Sequence, residues 1–260
     1  MSQQETTPES TGSETPAAAA KPPTLSLYAP FTANASFWAQ PPKQRQEAVA
    51  ALRGDLGRVC QSVAFYQLYP TRGPGAAGGD LLAWMAAEAA EPAAIDLAFR
   101  RFTLALAPHR RWFEPGETLW GLTRPSPYVG RESSTTIDPL TGDRGRLTYL
   151  VVYPFVKTHD WYRLELDDRR RLMGEHIRVG REYGDVNQLL LYAFGLQDQD
   201  FVVVYECQDL ARFSALVHDL RATEARAYTA RDTPIVTALH RPGDQLDALL
   251  GRTWPLSELG

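Results

Sequence analysis

Cysteine is nearly missing from this chain. Of 260 residues only Cys60 and Cys207 carry a thiol. They stand far apart in apolar surroundings, which excludes a disulfide framework or a cysteine zinc site and fits buried free thiols in a reducing cytoplasm. A basic excess is missing too. Lys and Arg number 27 against 31 Asp and Glu, a net charge of −4, so nothing here would neutralise phosphates and nucleic acid is excluded as a main partner. No apolar run approaches the ~20 residues of a membrane span. The longest, at 147–156, is broken by Pro154. The first residues lack the basic start and apolar stretch of a secretory signal. The expectation is a soluble cytoplasmic protein.

What is present is the material of an ordinary core. Hydrophobic residues make up 44% of the chain and there are six Trp, within the usual range for folded proteins. Residues 1–23 are Ser, Thr, Gln, Glu, Pro and Ala with almost nothing larger and apolar, which predicts a disordered tail. From 24 to 124 the pattern reads strand (25–31), helix (44–56), strand (63–69), glycine-rich loop (72–79), strand (81–87), helix (93–106) and strand (118–123). A linker follows over 125–146, rich in Pro and Gly and carrying a Ser-Ser-Thr-Thr run at 133–136. The order then repeats over 147–240: strand (147–153), helix (167–181), strand (188–194), strand (201–207), helix (210–220), strand (235–239). Residues 241–260 read as a C-terminal tail. Two β-α-β-β-α-β units imply two ferredoxin-like modules in one chain. Each sheet has one face covered by its own helices, and packing the two bare faces together gives an α+β barrel of the dimeric type.

Ionisable residues are unevenly divided between the halves. In the first, His109-Arg110-Arg111-Trp112 reads as a solvated helix end. The second holds more. Leu172, Met173, His176, Val179 and Tyr183 recur at three- and four-residue steps, which puts His176 on the buried face of its helix. As a lone His it suits a satisfied core residue as well as a ligand. No His, Cys or carboxylate at three or four residues' distance shares its face. A metal bound there would need its other ligands from elsewhere, as a porphyrin supplies them. Lys157 and Arg221 flank apolar positions, suited either to solvent or to the rim of an anion-binding cavity. Tyr153, on an internal strand, is either core or faces a ligand.

Taken in order, these residues resemble the chlorite dismutase superfamily and, within it, the coproheme decarboxylases. The resemblance is carried by Tyr153-Pro154-Phe155-Val156-Lys157 with Trp161-Tyr162 after it, by Arg170-Arg171-Leu172-Met173-Gly174-Glu175-His176, and by the segments 194–201 and 219–224. It spans 147–239 and is weak before 120. It implies that His176 is the proximal iron ligand and Glu224 the acceptor behind it. Tyr153 would be a redox-active tyrosine, Lys157 and Arg221 the partners of propionates, and Trp161 a flank of the porphyrin. Arg144 or Arg146 would be a further propionate ligand from the linker. Gln188 would take the distal position where chlorite dismutases carry Arg, which argues against chlorite decomposition, and residues 133–138 hold no distal His. The implied activity is peroxide-dependent oxidative decarboxylation of iron-coproporphyrin III (coproheme), substrate and cofactor at once, to haem b. Coproheme and hydrogen peroxide are the implied partners, and a homo-oligomer, a pentamer, the implied assembly. Two alternatives stand beside it: a haem-binding peroxidase or chlorite-dismutase-like protein without a decarboxylase role, and a barrel that binds another apolar ligand with His176 in its core.

Overall fold

The computed structural model describes residues 21–68, 79–128 and 134–252. The expected tail before residue 21, most of the glycine-rich loop and the first serine of the 133–136 run lie outside them. The elements are, in chain order, β1 (Thr24–Ala33), α1 (Ala35–Trp38), α2 (Pro42–Val59), β2 (Ser62–Leu68), β3 (Leu81–Glu88), α3 (Pro92–Leu106), β4 (Phe113–Pro115) and β5 (Leu119–Leu122). There follow β6 (Tyr149–Lys157), α4 (His159–Arg163), α5 (Leu166–Arg181), β7 (Asn187–Tyr192), β8 (Phe201–Cys207), α6 (Leu210–Arg221), β9 (Thr229–Arg231), β10 (Val236–His240) and α7 (Gln245–Gly251).

Local chemistry sets these boundaries. Pro42 opens α2, where the first amide needs no partner. The Asp209 side chain caps α6 by accepting from the Ala211 amide at 2.8 Å. Asp167 and Asp168 begin α5 and Arg178 and Arg181 end it, each complementing the helix dipole. Along β6, Leu150 and Val152 face inward while Val151 and Tyr153 face the helices. With both faces covered, the strand reads as a continuous apolar run rather than an alternating one.

The two modules have the same strand order, β2-β3-β1-β5 and β7-β8-β6-β10, all antiparallel. They join end to end: β5 meets β7 at Leu122 and Tyr192, and β10 runs along β2 from Ala238–Leu68 to His240–Tyr66. Eight strands thereby close into a ring, so that none of the eight is an edge strand. The β5–β7 junction requires glycine at 121, because a Cβ there would lie 2.8 Å from the Tyr192 carbonyl oxygen. Inside the ring, Leu150, Val152, Val202 and Val204 of one module meet Tyr66, Leu82 and Trp84 of the other.

Two expectations are corrected. The expected tail of 241–260 contains a helix in its described part, 241–252, with 253–260 outside the described residues. Here α7 packs on α2, burying Leu246 and Leu250 in the first module's core, and the Asp247 carboxylate accepts from Arg53 Nε at 3.1 Å and Nη2 at 2.7 Å. His109 is not a solvated helix end either. It is buried, with Nε2 2.6 Å from Asp55 Oδ2 on α2. Among the described residues no helix is long and apolar enough to cross a membrane.

Candidate functional site

Strand register builds one wall of the site. On the outer face of the second module, Gln188 lies opposite Tyr205 and Tyr205 opposite Val151. The next row is Leu190, Val203 and Tyr153, and the one after it Tyr192, Phe201 and Phe155. Leu190 is 41% exposed although it sits on a face that helices should cover. The facing helix explains why. Of the sixteen residues of α5 only Leu172 is fully buried; Met173, His176, Ile177 and Val179 are half-buried. The helix leans on α6 and on the 3-10 turn Glu224–Tyr228 rather than on the sheet, so a cleft remains between it and the wall.

His176 enters this cleft as a neutral imidazole. Burial, helped by the nearby Lys157 cation and opposed by Glu175, lowers its pKa to about 4. Lys157 comes from the end of β6, where the pairing with β9 shifts register between Val156 and Lys157. Such an irregularity re-aims a side chain. Its amide donates to Asp200 Oδ2 at 2.9 Å, and its ammonium donates to the Ala225 carbonyl at 3.3 Å and lies 4.2 Å from the centre of the Trp161 ring. Burial and then the Arg226 cation lower its pKa to about 8, and among the described residues no carboxylate pairs with it. Trp161 is buried against Leu172 and Ala225.

Tyr153 stacks on Tyr205 with ring centres 6.3 Å apart. Burial, then Tyr205 and Asp232, raise its pKa well above the ordinary tyrosine value, against the pull of Arg226. It is a phenol at any ordinary pH. Arg226 Nη1 donates to Asp232 Oδ2 at 2.5 Å, and Arg221 Nη2 lies 3.9 Å from the same oxygen. Gln188 points an exposed side chain outward from β7, and its backbone pairs with the linker, its amide donating to Thr135 at 2.9 Å and its carbonyl accepting from Ile137 at 3.0 Å.

The structure thus brings His176, Lys157 and Trp161 together, while Tyr153 lies further back on β6 beside Tyr205, within the field of Arg226 and Asp232, and Arg221 lies near Asp232. Two expected residues are elsewhere. Arg146 enters the ring interior, on the opposite face of the sheet. Its side chain is 3% exposed, 3.7 Å from Glu206 and 4.0 Å from the Trp84 ring centre, and it donates to Gly142 at 2.8 Å and to Asp138 at 3.1 Å. A guanidinium so committed inside the barrel is unavailable to a ligand in the cleft. Glu224 turns its carboxylate to Arg171, 2.9 Å away, and its amide donates to Glu175 Oε2 at 2.9 Å. In this arrangement its carboxylate is engaged by Arg171 and not by His176. Sequence reasoning missed Tyr205, Arg226 and Asp232. Tyr205 had a signal, since it shares strand parity with the outward Val203, but Arg226 and Asp232 lie on irregular segments with no periodicity to read.

Among the described residues no three His, Cys, Asp or Glu side chains converge as a metal site. The cleft offers one imidazole, so it suits a metal that brings most of its own ligands.

A family model described as chlorite dismutase matches residues 45–241, reaching through the first module as well as the stretch that carries the motifs. The coproheme decarboxylase of Mycolicibacterium smegmatis is 42% identical over 89 residues, 34% of this chain and 38% of that protein. That of Staphylococcus carnosus is 28% identical over 159 residues, 57% of this chain and 63% of that protein. The chain thus matches less than two thirds of the length of either. A chlorite dismutase variant from Candidatus Nitrospira defluvii has a TM-score of 0.72 at 21% identity, over 88% of this chain and 96% of that one. The same enzyme in complex with imidazole has a TM-score of 0.72 at 23% identity, over 88% and 95%. These likenesses are of fold: the same mixed α+β ring.

Proposed function

The chain belongs to the chlorite dismutase family, whose members bind haem, and from that premise we propose that it carries out peroxide-dependent oxidative decarboxylation of coproheme to haem b. One observation carries the reading. A neutral imidazole on α5 lies beside a desolvated lysine that pairs with no carboxylate among the described residues, and a buried phenol lies on the same strand as that lysine.

Each group fits an iron porphyrin with acidic side chains. His176 keeps its lone pair because protonation is suppressed to about pH 4, so it would be the residue that holds the iron. Lys157 would meet a propionate out of bulk water, where a charge-assisted contact is worth about 1.5–3 kcal/mol. Arg221 and Arg226 add positive charge near Tyr153, and Trp161 backs the lysine. The bound iron porphyrin supplies, with peroxide, the oxidising power. Tyr153 would give up its hydroxyl hydrogen, electron and proton together, to the peroxide-derived oxidant. As the phenoxyl it takes a hydrogen atom from the β-carbon of the propionate that Lys157 holds, which restores the phenol. Loss of one further electron to the peroxide-derived oxidant lets the carboxylate leave as carbon dioxide and a vinyl group remain. Lys157 thereby decides which propionate reacts.

Tyr153→Phe tests this. It keeps the ring and its stacking on Tyr205, so coproheme affinity stays near that of the wild type, while peroxide yields no haem b by chromatography. Conversion at the wild-type rate would overturn the radical role and with it the decarboxylase reading.

A further inference from the structure

The first module has a cavity of its own, of about 400 Å³, between its sheet and α3. Its origin is legible in the strand pairing. The cross-strand pairs Leu27–Met85 and Phe31–Leu81 flank the pair Ala29–Ala83 on the same face, so two of the smallest side chains stand where their neighbours are large. The helix above does not drop into the gap, because Phe99 on α3 stands edge-on against Trp120 with ring centres 5.2 Å apart. Phe31 and Phe113 from the strands and Phe102 from α3 are buried and line the cavity. Thr103, Arg110 and Glu117 are exposed and mark its opening. Gln197 reaches over from the second module, its Oε1 accepting from the Trp120 amide at 2.9 Å and its Nε2 donating to the Thr118 carbonyl at 2.7 Å.

Natural interiors retain few voids larger than a water molecule, and an unfilled apolar cavity forfeits dispersion contacts on every wall. One that opens to solvent and falls within the ligand-pocket range of about 300–1,000 Å³ has the dimensions of a binding site. We propose that this cavity binds an uncharged aromatic small molecule, its rings beneath α3 and any polar end at the Arg110–Glu117 rim. The rim carries one cation and one anion, neither in an ion pair among the described residues, so it selects no net charge. The cleft of the second module, with Lys157, Arg221 and Arg226, selects anions. The phenylalanine faces and the Trp120 edge suit a ring system better than a flexible chain. The proposal does not rest on the haem reading.

The test is a fluorescence titration of the full chain with N-phenylnaphthylamine, a neutral dye that brightens in apolar surroundings. Ala29→Phe fills the cavity from the sheet, and Thr103→Phe fills it from an exposed position on α3 that the fold tolerates. Each is expected to weaken dye binding by about tenfold or more, while Leu190→Glu in the other cleft changes it by less than about twofold. The proposal is overturned if wild type does not bind the dye, if Thr103→Phe of native circular dichroism binds it as wild type does, or if Leu190→Glu alone abolishes binding.

Discussion

The two modules repeat one strand order, yet the helix after the first strand behaves differently in each. In the first, α2 sits directly on its sheet with Val49, Leu52 and Leu56 buried, and α7 packs against it. In the second, α5 stands off, with Leu172 its only fully buried residue. A sheet-facing helix can be seated or suspended by the choice of a few side chains, and the suspended one leaves room for chemistry. The site therefore depends on what lies beneath one helix and not on the fold as such.

The sharpest way to break the comparison is His176→Ala. If the suspended helix exists to present this imidazole, the variant folds but loses coproheme by more than the about 10–100-fold that residues merely supporting a metal ligand cost. The Soret band reports it, and an unchanged band would mean that the ligand lies elsewhere. Next comes stability. Leu52→Ala beneath the seated helix should cost about 2–5 kcal/mol in urea unfolding. Val179→Ala on the suspended one should cost about 1 kcal/mol, because its methyl groups are only half-buried. Equal costs would contradict the difference in seating.

A smaller effect separates the sites by charge. The Lys157 pKa in the free protein is lowered to about 8. The side chain is therefore a cation below that pH and neutral above it. Coproheme affinity should fall as pH rises through about 8, by roughly ten- to a hundredfold if one charge-assisted contact of about 1.5–3 kcal/mol is lost. Because the bound anion itself pulls the lysine pKa upward, the complex once formed resists to higher pH. Lys157→Gln should flatten the profile, and spectrophotometric titration across this range decides it. The smallest expected signal is oxygen release from chlorite. Gln188 offers no guanidinium to an anionic oxychlorine species, so an oxygen electrode should record next to nothing, and sustained release would move the assignment.

How much of this was legible depended on periodicity. The face of α5 that carries His176 could be read from three- and four-residue steps, and the ring could be inferred from the repeated order of elements. The position of Lys157 could not, since it is set by a register shift against β9 that no local pattern encodes. That Arg146 turns into the barrel interior could not be read either, because a linker sequence does not tell which side of a closed sheet its side chain will enter. Glu224 lies on a 3-10 turn, where neighbours such as Arg171 on α5 decide its direction. The helix α7 lies in a stretch that reads as a tail, because its apolar residues acquire meaning only against α2.

The turn between β7 and β8 has a consequence for how such a doubled chain can be divided. Gln197 in this turn occupies main-chain groups of Trp120 and Thr118 in the first half. A few residues on, Asp200 accepts from the Lys157 amide at 2.9 Å and from the Tyr162 hydroxyl at 2.6 Å. One short clasp therefore fastens both copies of the duplicated unit, and neither can be discarded as a spare. A fragment comprising only the second half would keep the histidine helix but leave Gln197 without its partners, at the base of the segment that fixes the lysine.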